Sequence, residues 1–109
     1  MLQEISMEEK LDLETAELIA TTFKGLANST RLRLLAILLE GDTCVSDLAE
    51  STGISQSAVS HQLRVLRHLR FVSTRREGKQ IFYHIDDEHI EGLYNLALEH
   101  TFHLDDPRN

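Results

Sequence analysis

Helical periodicity dominates the chain, and short polar or glycine-containing breaks divide it. From Met7 to Lys24 the apolar positions Leu11, Ala16, Leu18, Ile19 and Phe23 share one face, which predicts a first helix. Asn28, Ser29 and Thr30 are cap-forming residues ahead of RLRLLAILLE, a strongly apolar second helix that Gly41 ends. Thr43 is placed to cap a short third helix, CVSDLAEST, which stops at Gly53. Ser55 is placed to cap a fourth, QSAVSHQLRVLRHL. The pattern then changes: FVSTR and KQIFYHI read as two strands around the turn REGK. Asp86 opens a last helix running to about Leu104, before Pro107.

Four helices, a hairpin and a final helix predict a mainly α (α+β) fold. The third and fourth helices are joined only by TGI, the signature of a helix-turn-helix. A hairpin following at once makes it a winged helix-turn-helix with a two-stranded wing. A chain of 109 residues suits one domain, expected over 1–109. Within it, 43–70 is the helix-turn-helix, 71–85 the wing, and 7–24 and 86–104 are dimerisation helices. Domains of this size often gain stability by association. No apolar run approaches the ~20 residues of a membrane span, and the acidic start MLQEISMEEK is unlike a secretory signal. The one cysteine, Cys44, cannot form an internal disulfide and suits the reducing cytoplasm.

A net charge of −7 argues against a nucleic-acid partner until its distribution is read. Between Ser55 and Gln80 stand Arg64, Arg67, Arg70, Arg75, Arg76 and Lys79 against the single acid Glu77, a local charge of +5. Such a patch is the electrostatic footprint of DNA binding. On a helical wheel Val59, Leu63, Leu66 and Leu69 form the buried side of the fourth helix. Ser57, Ser60, His61, Arg64 and His68 fall on an opposite arc of about 100°. Ser55, Gln56, Ser57, Ser60, His61 and Arg64 are therefore the candidate base and phosphate readers, with Arg75, Arg76 and Lys79 on the wing.

The last helix carries His89, His100 and His103 within about 60° of one another, beside the apolar positions Ile90, Leu93, Tyr94, Ala97 and Thr101. His89 and His100 are separated by roughly 16 Å along the axis, far beyond the reach of one ion whose metal–nitrogen bonds are about 2.0–2.1 Å long. Two copies packed antiparallel solve this. The His89 end of each then meets the His100/His103 end of the other, giving two equivalent intersubunit sites. A carboxylate beside His89 completes the four ligands that zinc favours. A regular helix puts Asp86 nearer to His89 than Asp87, but a helix start need not be regular, so both stay open.

These segments resemble the ArsR/SmtB metal-sensing winged-helix repressors from about Leu18 to His103. LANSTRLRLLAILLEG is similar to that family's second helix, and VSDLAESTGISQSAVSHQLRVLRHLRFVSTRREGKQIFYHI to its helix-turn-helix and wing. The branch of zinc and cobalt sensors carries Asp-x-His, ten residues, His, two residues, then His or Glu. The resemblance thus implies Asp87, His89, His100 and His103 as ligands, with Asp86 as the fallback. It also implies a homodimeric repressor that binds operator DNA when metal-free and releases it on zinc or cobalt binding. By the same resemblance, the second N–H of His100 reaches a carbonyl near Arg70. Thiolate members use Cys-x-Cys in the third helix, where this chain has Cys44-Val45-Ser46, so Cys44 is expected to be a small core residue. The rival readings are a winged-helix repressor with a non-metal effector and a zinc-buffering protein without DNA function. No nucleophile–base pair or phosphate loop points to an enzyme.

Overall fold

The computed structural model describes residues 10–104, and the side chains of 10–103. The elements are α1 (Leu13–Leu26), α2 (Ser29–Leu38), β1 (Thr43–Cys44), α3 (Val45–Thr52), α4 (Gln56–His68), β2 (Val72–Glu77), β3 (Gln80–Ile85) and α5 (Glu88–Leu104). The core is built around α2. Leu34, Leu35 and Leu38 meet Leu48 of α3, Val59, Leu63 and Leu66 of α4, Phe71 and Val72 at the foot of the wing, and Ile90 of α5. No helix among the described residues is long and apolar enough to cross a membrane.

Three starts differ from the expectation. α1 begins at Leu13, because the Asp12 carboxylate accepts the Thr15 N–H at 2.7 Å and sets the cap there. Residues 10–12 precede the helix, and the part of the expected helix from Met7 to Glu9 lies outside the described residues. Thr43 does not cap α3. Thr43 and Cys44 form β1, paired with Tyr83 and Phe82 of β3, so Cys44 becomes the N-cap without a side-chain hydrogen bond. The wing is consequently part of a three-stranded antiparallel sheet in the order β1-β3-β2 rather than a lone hairpin. A two-residue strand is too short to show alternation, which is why the period of the sequence hides it.

At α5 the expected cap also moves by one. The Asp87 carbonyl accepts the Ile90 N–H at 3.0 Å, and its carboxylate accepts the His89 N–H at 2.8 Å. The Asp86 N–H donates instead to the Phe71 carbonyl, fastening the entry of α5 to the foot of the wing. The other caps stand where expected: Asn28 accepts from Arg31 at 3.0 Å and Ser55 from Ala58 at 3.2 Å.

Each helix of the helix-turn-helix is followed by a left-handed residue. Gly53 has φ 75° and donates to the Ala49 carbonyl at 2.8 Å, turning the chain from α3 toward α4. α4 ends in a Schellman motif, with Phe71 N–H to the Leu66 carbonyl and Arg70 N–H to that of Arg67, both at 3.0 Å. Its left-handed position is held by Arg70, at φ 64°, where glycine is the usual occupant. The two positions predict opposite outcomes in thermal unfolding. Gly53→Ala should lose about 1–2 kcal/mol from the left-handed penalty, and Arg70→Gly should gain up to about 1 kcal/mol. An unchanged midpoint for Gly53→Ala would show that the turn tolerates another conformation.

Candidate nucleic-acid interface and metal donors

α4 buries Val59, Leu63 and Leu66, so its opposite side is turned outward. Gln56, Ser57, His61 and Arg64 are exposed and Ser60 is half-buried. The Ser55 hydroxyl closes the helix start, 3.3 Å from that of Ser57. The first turns of α3 and α4 and the wing tip border one surface hollow, where Gln56 faces Lys79 and Gln80 across from Ser46. At the other end of α4, Arg64, Arg67, His68 and Arg70 border a second hollow. Basic side chains therefore stand at both ends of α4, with Arg64, Arg67 and Arg70 toward its C-terminus and Lys79 of the wing beside its first turn.

The wing arginines are not equivalent. Arg75 stands across β2 from Phe82, its guanidinium 4.9 Å from the ring centroid. It pairs with Asp42 at 3.1 Å and Glu77 at 2.9 Å, and these hydrogen bonds, Asp42 first, raise its pKa further. The expected wing contact from Arg75 thus meets a guanidinium already occupied by two carboxylates. Arg76 bends toward the turn, Nε donating to the Gly78 carbonyl at 3.2 Å, and Lys79 stands exposed at the tip. The charge count had no access to Asp42, since 33 residues separate it from Arg75 and only the β1 pairing brings them together.

The metal-donor candidates fall into two groups at opposite ends of α5. Asp87 Oδ1 lies 2.8 Å from His89 Nδ1, and both side chains are open to solvent. Hydrogen bonds from the His89 backbone N–H, then from its ring, hold the Asp87 carboxyl below the usual carboxylate range. Asp86 lies instead 3.7 Å from His84, whose ring is hydrogen-bonded to the Ser73 hydroxyl. The wheel preferred Asp86 because it treats the helix start as regular. Asp87 is the residue before the first helical position, and its side chain folds back over the first turn. At the far end His100 and His103 border one hollow with Leu96 and Glu99, a carboxylate neighbour that the sequence reading did not include. Among the described residues, no three His, Cys, Asp or Glu side chains of one chain gather closely enough to hold an ion.

The donor chemistry fits zinc as two half-sites. Imidazole nitrogen and carboxylate oxygen are ordinary zinc ligands. The Asp87–His89 separation is about half an ångström short of the donor spacing of a tetrahedral zinc site, roughly 3.3 Å. Cys44 is 6% exposed and its thiol faces the Ser46 hydroxyl at 3.3 Å, so it is the small core residue expected and far from a thiolate cage.

Sequence reading also missed Arg31. Its guanidinium bonds the carbonyls of Lys24 and Gly25 and the Gln62 side chain. An arginine inside an apolar helix is the one available signal, and it does not name these partners.

A family model described as "Bacterial regulatory protein, arsR family" matches residues 28–74, from the cap of α2 into β2. The chain is 46% identical over 94 residues to the HTH-type transcriptional regulator NmtR of Mycobacterium tuberculosis, covering 86% of this chain and 78% of that one. It is 42% identical over 92 residues to the transcriptional repressor SmtB homolog of Synechocystis, covering 84% and 70%. Among solved structures, the AntR antimony-specific transcriptional repressor superposes with a TM-score of 0.81 at 36% identity, over 91% of each chain. The homodimeric winged helix-turn-helix DNA-binding domain Mb0332 of Mycobacterium bovis does so with 0.74 at 31%, over 87% and 90%. With α3 and α4 in a winged helix-turn-helix and relatives matched along most of its length, the chain belongs to the ArsR family of bacterial regulatory proteins, and it is a DNA-binding transcriptional regulator rather than an enzyme.

Proposed function

We propose that the chain is a cytoplasmic, homodimeric repressor that releases its operator when zinc, or cobalt, binds across the dimer. The observation that carries this reading is the division of α5 into two donor pairs, Asp87/His89 and His100/His103, on a helix that its own domain leaves uncovered. Beyond Tyr94 every described side chain of α5 is exposed, Leu96, Leu98 and Phe102 among them. On α1, Leu13, Leu18, Ile19 and Phe23 are exposed as well, and only Gly25 is buried. These seven side chains are 39–75% exposed. Covering them fully contributes at most roughly 8 kcal/mol per chain at about 2 kcal/mol per side chain, enough across two chains to exceed an association cost of about 4–15 kcal/mol. The homodimer of Mb0332 and the antimony-specific repressor AntR are consistent with a dimeric, metal-responsive regulator. The donor set, three imidazoles and a carboxylate with no thiolate pair, favours zinc.

Asp87 and His89 of one chain with His100 and His103 of its partner would hold the ion, which would tie the two α5 helices together. For release, the metal must bind the DNA-free geometry better than the DNA-bound one. His100 uses one ring nitrogen as ligand, and its other N–H finds an acceptor, which by resemblance is a carbonyl near Arg70 at the end of α4. With one His100 ring nitrogen held as a ligand, the other N–H would be fixed as a donor toward the end of the reading helix.

Titrating zinc into a protein–operator complex tests the whole reading: release should follow zinc occupancy. Retained DNA binding without zinc affinity would leave a winged-helix regulator of another effector, and zinc affinity without DNA binding would leave a buffering protein. For the DNA surface, Arg76→Ala and Lys79→Ala should each flatten the salt dependence by about one unit of slope. Arg75→Ala should change it less, while Ser57→Ala and Arg64→Ala should weaken operator binding more than random-sequence binding. Equal losses on both DNAs for Arg64→Ala would remove it from base reading.

Shared ligation is tested by mixing an Asp87→Ala/His89→Ala chain with a His100→Ala/His103→Ala chain. The heterodimer should keep one complete site, and two weakened sites would place the ligands within one chain. Hydrogen bonds from His89 hold the Asp87 carboxyl below the usual carboxylate range. Metal ligands must be deprotonated to bind, so zinc-driven release should fade as the solution is acidified, and release undiminished in acid would argue against this ligand set. His100→Glu should keep part of the zinc affinity and lose most of the release, and normal release by this variant would rule out the relay through its second N–H.

A further inference from the structure

We propose that Arg31 is the positioning residue that sets the angle of the reading helix α4 against α1, and that operator recognition depends on it. This rests on the reading of α1 as a subunit contact. α1 meets its own domain through a single joint at its C-terminal end. There Arg31 Nε donates to the Gly25 carbonyl at 2.7 Å and Nη2 to the Lys24 carbonyl at 3.0 Å. A guanidinium suits this place, because the last carbonyls of a helix lack intrahelical partners and carry its partial negative charge. Nη1 donates to Gln62 Oε1 at 3.0 Å. One rigid, planar group thus joins the end of α1 to the middle of α4.

The joint is tight as well as polar. Gly25 is the only buried residue of α1, and a Cβ there would stand 2.6 Å from Leu69 Cδ1 and 2.9 Å from the Phe71 ring. α1 is therefore keyed to α4 twice, at Gln62 and at the Leu69–Phe71 exit. Gln62 is half-buried, while its neighbour His61 and Arg64, two residues on, are exposed. A subunit pressing on the exposed face of α1 moves the joint, and Arg31 delivers that movement to the helix that faces DNA. The competing role is local: Arg31 only fastens the α1–α2 corner, and Gln62 is incidental.

The experiment compares Gln62→Met, Gln62→Glu, Arg31→Lys and Arg31→Lys/Gln62→Met on an operator selected from random DNA by the wild-type protein. Random-sequence affinity, thermal midpoint and sedimentation are read alongside. Gln62→Met should lose roughly 10- to 150-fold in operator affinity, the scale of one hydrogen bond to a charged group, with random-sequence affinity within about twofold of wild type. Gln62→Glu, which keeps an acceptor, should restore operator binding. The double variant should be no worse than Arg31→Lys alone, since contacting residues are non-additive. Wild-type operator affinity in Gln62→Met, or additive losses in the double variant, overturns the proposal. A monomeric wild-type protein overturns it together with the dimer reading, whereas dimeric variants with unchanged operator affinity overturn Arg31 alone.

Discussion

Uncovered apolar surface on two helices governs the organisation of this molecule. A domain built around α2 has one compact core, to which α1 contributes little beyond Gly25 and Leu26, and α5 little beyond Ile90 near its start. The radius of gyration, 16.5 Å, exceeds the roughly 13 Å of a compact domain near 100 residues. The helices that do not close the core are also the ones that carry leucine and phenylalanine outward. Stability and regulation are consequently tied to one surface: whatever covers α1 and α5 also decides how their donor pairs and the Arg31 joint are held.

The architecture was legible because its strongest signals are periodic. The apolar positions of α2 and α4 name the core almost residue by residue, and Gly53 marks the turn of the helix-turn-helix through its left-handed φ. What escaped depends on contacts between distant segments. Thr43 reads as a cap because it precedes a helix, yet pairing with Tyr83 makes it a strand. Arg75 counts toward a basic wing until Asp42 arrives from 33 residues away. Asp87 moves next to His89 only because the residue before a helix does not follow the wheel. The four candidate donors were readable from spacing and family resemblance. Their division between the two ends of the helix followed from its rise, whereas the Asp87–His89 contact and Glu99 beside the other pair came only from the structure.

Arginines illustrate how little a charge count says about use. Arg31 has its donors taken by two carbonyls and a glutamine, and Arg75 by two carboxylates and an aromatic face. Arg64, Arg67 and Arg70 stand along the exposed side of α4. The local excess of positive charge remains, but its centre shifts from the wing to the reading helix and the wing tip. Phosphate affinity follows the number of cations that can reach the backbone, so an arginine already paired with carboxylates adds less than its formal charge.

A donor pair that is incomplete within one chain has a thermodynamic consequence. Each end of α5 offers two candidate ligands, and a tetrahedral ion favours four. Affinity for the ion is then inseparable from the relative placement of two chains, and by linkage the ion alters every equilibrium that depends on that placement. DNA with two half-sites depends on it too. Under the proposed function, metal and operator would compete without sharing a residue: the ion would act through α5, the operator through α4, and both would depend on the same intersubunit geometry. A site closed within one chain would bind the ion as tightly but have no such leverage. Ligands split between the ends of a rigid helix, as proposed, would convert the modest act of binding an ion into control over the separation of two reading helices.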